Sequence, residues 1–577
     1  MSEIFRLYGT LEPPLNSEHF RMGQLSFTLE EGALRHIKVG DIEIIRRIAF
    51  LVRDRDWGTL TPRLSLLSSK RFDTRFSLHL EAEFEIPTAI LNISILVDAT
   101  RDKITMRAEG IPNGIFETNR AGFTVLHPAK LAGRPVSVEH SNGSVEKSTF
   151  PSLIEPWQPF KDIKSITHFA DGLAVDCTFT GDTFEMEDQR QWGDASYKTY
   201  VRPLALPWPY TLSQSHPLVQ SVSISWHKTD KEQFESNNNY ENSNNSVLSE
   251  TLFPETAILL TPKDALRLIG HPEDIRQVSP QRLLCNVDTT AGATTEYFEA
   301  YAKLQAVMPN FVYDLELICG FEDPPALELL KLRMEMDRAG FKPESVMLCP
   351  AVDQISTPPS SNWPECPPLE EIHSASANTF DDLIRGGGMV TFFPELNRKR
   401  PPLEHLDFVS HSLCPIVHAA DDISVMETLE AIPHITRSAR AIIGDADYRI
   451  GPSTIAMRRN PYGQQTFPNP DLNRLCMANN DPRHGAAFGA AYVIGLATAL
   501  ADSGVTVWTP CELYGSRGLY GPIVKAISLL VRCAGNPVHK ATIRNGIAEL
   551  IIGSHQITSN LTNQPLGGLG PFEFEAS

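Results

Sequence analysis

Arg282-Leu-Leu-Cys-Asn-Val-Asp288 is a short apolar run ending in a carboxylate, and the helical stretch Thr295 to Met308 follows it. The unit returns at Val312-Tyr-Asp-Leu-Glu-Leu-Ile318, whose helix carries Leu329, Leu332, Met336 and Ala339 at spacings of three and four. Further runs are Ser345 to Cys349, Gly388 to Phe393, Asp407 to Leu413, Tyr448 to Ile450 and Val505 to Trp508. Strands alternating with helical stripes signal a parallel sheet. The run count is close to eight, and about 280 residues suits a (β/α)8 TIM barrel, placed at 255–537. The pattern shows seven runs, and the missing strand is expected somewhere in 457–480.

Outward from this region the period changes. Residues 1–227 hold short alternating runs such as Phe76-Ser-Leu-His-Leu-Glu-Ala-Glu-Phe84, punctuated by Val39-Gly40-Asp41 and Ser141-Asn142-Gly143. That pattern predicts an N-terminal antiparallel β-sandwich. Residues 228–254 contain Asn237-Asn-Asn-Tyr-Glu-Asn-Ser-Asn-Asn-Ser246, too polar to bury a core, and read as a linker or loop. Residues 538–577 return to alternation, as in Ala548-Glu-Leu-Ile-Ile552, and predict a small C-terminal β appendage. The fold class is thus multidomain, β plus α/β.

The chain of 577 residues has 70 acidic and 51 basic side chains, a formal charge of −19. Such a surface repels phosphate backbones, so no nucleic-acid partner is expected. Met1-Ser2-Glu3 is acidic and no cationic, then apolar, leader follows; Gly485 to Ala501 is short and rich in Ala and Gly. Neither a secretory leader nor a membrane span is expected. The nine cysteines lack paired spacing, which fits free thiols in a reducing cytoplasm. No pattern fixes an oligomeric state.

In such barrels the chemistry sits where strands end. Asp288 ends one run and Glu316 lies in the next. Thr391-Phe-Phe-Pro-Glu-Leu-Asn-Arg-Lys-Arg-Pro-Pro402 supplies Glu395, Asn397 and Arg398. If that segment is extended, Glu395 and Asn397 project to one side. His411 lies in the following strand. Arg458, Asn460 and Tyr462 come from the segment 451–463, and Arg483 and His484 from Asp481-Pro-Arg-His-Gly485. Glu512 follows the last strand and is expected across the mouth from Glu395. Two carboxylates on a pocket can act as acid and base, one activating water while the other protonates a leaving oxygen. The structural alternative is an ion pair of either with Arg398 or Arg517. His411 is otherwise a satisfied interior histidine. His418 with Asp421 and Asp422 is the one set that could take a metal, but no His-Glu-x-x-His exists, and no metal or other cofactor is expected. No Gly-x-Ser-x-Gly elbow is present, and Gly386-Gly-Gly388 precedes a strand, so it is no phosphate loop. Phe184 to Tyr200, with Glu187, Asp188, Arg190, Trp192 and Asp194, is either a solvated loop or a pocket lid suited to sugar hydroxyls.

Long motifs carry a resemblance. Asn119 to Pro128, Phe184 to Tyr200, Phe393 to Pro402, Arg458-Arg-Asn-Pro-Tyr462 and Asp481-Pro-Arg-His484 are similar to the D-apionate lactonase family, and Leu7-Tyr-Gly-Thr10 and Val52 to Gly58 fit as well. The resemblance implies opening of D-apionolactone to D-apionate in apiose breakdown, and an N-terminal β domain, a barrel and a C-terminal β domain. It assigns no catalytic residue. The Asn-rich insert departs from the family, as does Glu512-Leu-Tyr-Gly, where Glu followed by Thr-Thr-Gly is expected. The barrel also resembles retaining glycoside hydrolases, which carry Asn-Glu after strand four; Glu395-Leu-Asn397 breaks that order and favours a lactonase. The expected mechanism is metal-independent. Glu395 or Glu512 deprotonates water, and the other protonates the leaving hydroxyl. Arg458, His484 or His411 steadies the oxyanion, while Asn397 and Arg483 bind the small sugar-lactone substrate. The alternatives are a glycosidase for plant sugar linkages, a metal-dependent lactonase and a non-catalytic carbohydrate-binding protein.

Overall fold

The computed structural model describes residues 2–55, 57–229, 251–359, 361–463 and 465–577. Most of the Asn-rich segment, 230–250, lies outside the described residues. The chain divides into two compact units: residues 15–190 with 195 onward of the N-terminal part, and residues 1–14, 191–194 and the remainder to Ser577.

The first unit holds an antiparallel sheet of sixteen strands, running from Ser17–Met22 at one end of the path to Arg63–Phe72 at the other, and a two-stranded sheet of Phe116–Thr118 and Tyr210–Leu212. Alternation explains its strands. In Arg75–Ile86, Phe76, Leu78, Leu80, Ala82 and Phe84 are buried, while the residues between them are at least half-buried or exposed. Phe20 of Ser17–Met22 lies 4.3 Å from Phe76 with the rings tilted, and Phe50 of Ile42–Arg53 lies 6.2 Å from Phe84.

The second unit holds a closed parallel barrel: β1 (Glu255–Leu260), β2 (Arg282–Asp288), β3 (Val312–Cys319), β4 (Ser345–Pro350), β5 (Ile384–Phe392), β6 (Phe408–Leu413), β7 (Asp447–Ser453) and β8 (Val505–Glu512), with β1 paired to β8. The missing strand is therefore β1, not a segment of 457–480. Its six residues stand next to the Asn-rich stretch and read as a domain entry; 457–480 forms a loop with one bridge, Phe467 to Ala478. The glycines of β5 are steric necessities. A Cβ on Gly386 would stand 2.1 Å from the Phe408 ring, and one on Gly388, at φ +111°, 2.1 Å from the Ser410 carbonyl oxygen.

Helix Ala487–Leu500 is buried on all sides and packs against the small antiparallel sheet of Val538–Arg544, Ile547–Ile552, His555–Asn560 and Phe574–Ala576. Among the described residues no helix is long and apolar enough to cross a membrane. All nine cysteines are free, seven of them buried.

Candidate active site

Charge enters the barrel at both ends. At the strand starts, Arg282 pairs with Glu255 at 2.5 Å, Glu344 at 2.9 Å and Asp314 at 3.1 Å, and Arg449 reaches Asp314 at 3.3 Å and Ser345 at 2.9 Å. This end of a barrel serves stability. A cavity of about 30 Å³ lies above it, lined by Glu316, Met347, Ser410 and Thr509 among others.

At the opposite end the segment after β7 crosses the mouth. Arg458 donates to both oxygens of Glu316, at 2.5 and 3.1 Å, and Glu316 also accepts from Asn286 at 2.8 Å. Arg459 stands 3.5 Å from Asp288, whose other oxygen caps Thr290. The Pro461 carbonyl accepts from the Ser356 amide at 2.7 Å. Asn460 is spent inside the loop, donating to Gln465 and accepting from the Tyr462 amide. Glu316, Asp288, Arg458 and Asn460, expected to hold substrate, thus anchor this loop, while Tyr462 is 43% exposed.

Glu395 sits in a helix, Phe393–Lys399, begun by Pro394, and not in an extended segment. Two residues on a helix are turned about 200° apart, so Asn397 does not share its side. The neighbour is Arg398, at i+3, 3.1 Å from Glu395 Oε1, which also accepts from Ser356 at 2.5 Å and the Thr357 amide at 3.3 Å. Glu395 Oε2 is buried and makes no hydrogen bond. Burial pushes this carboxyl above its usual range despite Arg398 and Ser356. Glu512 is held bidentately by Arg517, at 2.8 and 3.2 Å. Both ion pairs named as structural alternatives are therefore present.

Three other expectations need correction. His411 points out of the barrel, because its neighbour Ser410 lines the interior. Its Nδ1–H donates to the Ser412 carbonyl at 3.0 Å, Nε2 accepts from Tyr448 Oη at 2.7 Å, and burial lowers its pKa to about 4. Arg483 is fully buried and bound to Asp481 and Asp422. His484 donates from Nε2 to the Gly518 carbonyl at 2.9 Å, and burial lowers its pKa.

Phe184 to Tyr200 is neither a solvated loop nor a lid over most of its length. It is a hairpin within the sheet. Asp188 and Arg190 form a buried pair at 2.7 Å that also holds the Pro151 carbonyl and the Glu155 amide, and Glu187 pairs with Lys198 at 2.6 Å. Only its tip, residues 191–194, belongs to the barrel unit. There Asp194 Oδ2 lies 2.7 Å from His418 Nδ1, and His418 Nε2 lies 3.3 Å from Tyr462 Oη. Trp192 packs 5.9 Å from the His418 ring, 5.3 Å from Tyr462 and 6.5 Å from Phe392. Reading the two segments separately hid this: the partners are more than 200 residues apart.

His418 does not gather a metal set with its neighbours in sequence. Asp421 caps helix Asp422–Glu427, and Asp422 binds Arg474 and Arg483. Among the described residues two groups have metal-ligand spacing, His127 with His168 and Cys177 in the sheet core, and Glu370 with Glu404 and His405 at the surface.

With β1 counted, Glu395 follows β5. The segment after β4 is Ala351-Val-Asp353, where Asp353 pairs with Lys399. The glycosidase Asn-Glu is absent there too.

Residues 5–229 match the family described as D-apionate lactonase, N-terminal domain, and residues 256–532 that described as D-apionate lactonase, TIM barrel domain. The D-apionate lactonase of Brucella anthropi is 44% identical over 530 residues, covering 89% of this chain and 85% of the relative. Among solved structures, a putative aldose 1-epimerase of Escherichia coli K12 covers 37% of this chain and 100% of its own at 10% identity and TM-score 0.26. A GH30 endoxylanase of Clostridium papyrosolvens C71 covers 55% and 84% at 7% identity and TM-score 0.34. Likenesses this weak do not bear on the chemistry.

Proposed function

Because the chain belongs to the D-apionate lactonase family, we propose that it hydrolyses D-apionolactone to D-apionate in the breakdown of apiose. The observation that carries the reading is the match over both domains and 89% of the chain to a relative of that name.

Glu395 is the carboxyl in the mouth best suited to donate a proton. It is buried, burial raises its pKa above the usual carboxyl range, and it has one oxygen with no hydrogen bond. It hands that proton to the ring oxygen as the lactone opens. Glu512, with both oxygens on Arg517, shapes the loop that follows β8. The chemistry is run by side chains on a small sugar-lactone substrate, in the reducing cytoplasm. The two-layer sandwich reading of the N-terminal sheet draws support from Phe20 on Phe76 and Phe50 on Phe84, pairs that join distant strands of the path.

The test is a panel of aldonolactones and aryl glycosides, each with and without chelator. Opening of D-apionolactone, unaffected by chelator, is expected. Release of sugar from glycosides without lactone opening sinks the reading, and activity lost on chelation and restored by zinc or manganese sinks its metal-free form.

A further inference from the structure

The mouth holds an acid with no matching base among the residues so far given roles. Burial raises the Glu395 pKa, Glu512 and Glu316 each have both oxygens on an arginine, and Asp353 is paired with Lys399. His484 and His411 are fully buried and held in place by hydrogen bonds.

We propose that His418 is the general base of the lactone opening, with Asp194 as its positioning residue and Trp192 and Tyr462 as the wall against which the sugar lies. This rests on the reading of the chain as a lactonase.

The geometry fixes the tautomer. A carboxylate only accepts, so the 2.7 Å contact between Asp194 Oδ2 and His418 Nδ1 puts the proton on Nδ1 and leaves the lone pair on Nε2. That lone pair faces Tyr462 Oη at 3.3 Å, a long contact to a side chain that is 43% exposed. Water can take its place. His418 itself keeps 11% of its side-chain surface and Asp194 19%, so the dyad is shielded but not sealed. The Tyr462 ring, 43% exposed and backed by buried Trp192 at 5.3 Å, gives an apolar face of the kind that the C–H side of a sugar covers. Backbone links place acid and base on one rim. Ser356 donates its hydroxyl to Glu395 and its amide to Pro461, which precedes Tyr462.

The step balances. Nε2 of His418 takes a proton from water as the water oxygen bonds to the lactone carbonyl carbon, and the carbonyl π pair moves to oxygen. The tetrahedral adduct then collapses, the bond from the acyl carbon to the ring oxygen breaks, and Glu395 protonates that oxygen to a hydroxyl. The imidazolium passes its proton to the Glu395 carboxylate through solvent, and the product acid ionises. Water and lactone are consumed and one hydroxy acid leaves.

The experiment is steady-state hydrolysis of D-apionolactone by the full-length protein and its His418→Asn, His418→Gly and Asp194→Asn variants, with far-UV circular dichroism and Tm checking the fold. His418→Asn should lower kcat/KM by about 10²–10⁴-fold, and added imidazole should restore part of the His418→Gly loss. Among the described residues, the Asp194 carboxylate contacts Nδ1 and the Tyr462 hydroxyl lies 3.3 Å from Nε2. Asp194→Asn removes the negative charge that holds the imidazolium. It should lower kcat more than it changes KM at an unchanged Tm, which a packing defect would not do. A folded His418→Asn variant within threefold of wild type overturns the proposal, as does an Asp194→Asn variant with wild-type kcat. Wild-type protein that opens no lactone overturns the functional reading itself, and the base falls with it.

Discussion

Arg458 Nη2 stands 2.5 Å from Glu316 Oε1, and the next residue, Arg459, stands 3.5 Å from Asp288, so consecutive arginines tie one loop to β3 and β2. The loop also carries Tyr462. Glu316 is 1% exposed, and removal of its cation leaves a buried charge with Asn286 as its remaining partner. Arg458→Met should cost about 3–5 kcal/mol and lower kcat/KM as the loop loosens. Thermal melts of Arg458→Met and of Glu316→Gln/Arg458→Met check this. The double variant should melt higher than the single, because the orphaned charge is gone.

Glu395 and Glu512 end similar segments but sit in different surroundings. Burial raises the Glu395 carboxyl, so the protonated form is present at low pH and is lost as pH rises through its folded pKa. Activity that needs this proton falls on the alkaline side. Glu395→Gln should lower kcat by about 10²–10⁴-fold and abolish that alkaline limb. Glu512→Gln should keep kcat within about tenfold and lower Tm instead, since one charge-assisted contact to Arg517, worth about 1.5–3 kcal/mol, is weakened. Paired pH profiles of kcat decide; equal losses in both variants would undo the division of roles.

The barrel was legible because its strands are near-continuous apolar runs, as parallel strands buried on both faces must be. β1 escaped notice as Glu255-Thr-Ala-Ile-Leu-Leu260 directly follows a polar stretch and looks like the edge of a domain. Strand-end position did select Glu316, Glu395 and Glu512, all at the mouth. It could not say which were tied down, for that depends on arginines 3, 5 and 142 positions away. Asp194 and His418, 224 positions apart, could meet only through tertiary structure. The extended reading of Glu395 and Asn397 failed on one local cue: Pro394 at the first turn of a helix.

The first residues hold the barrel unit together. Tyr8 of helix Glu3–Tyr8 is 2% exposed and lies 5.5 Å from Phe572 and 6.2 Å from Phe488, while Glu12 accepts from Arg474. Tyr8→Ala should therefore destabilise by about 3–5 kcal/mol, the range for truncating a buried aromatic. Deletion of residues 2–14 should do more, exposing Phe488 and Phe572. Denaturant unfolding followed by fluorescence measures both, and a wild-type midpoint in either variant would contradict the packing.

His411 offers the contrast between a structural and a catalytic histidine. Burial holds its pKa down to about 4 against 6.5 for the free side chain, so the fold keeps it neutral. A depressed folded pKa contributes stability that is fully present above pH 6.5 and is lost as pH falls through about 4. The shift corresponds to about 3 kcal/mol. His168 and His373 are also lowered to about 4 by burial and act in the same window. Acid should thus lower Tm steeply between pH 6.5 and 4 in the wild type. His411→Gln should melt lower at neutral pH, having lost the fit to Tyr448, and show a shallower fall toward pH 4, with the remaining buried histidines leaving a residual slope. Its kcat/KM should stay within about threefold of wild type, since His411 faces away from the barrel interior. A loss as large as that expected for His418→Asn, at unchanged Tm, would return His411 to the reaction.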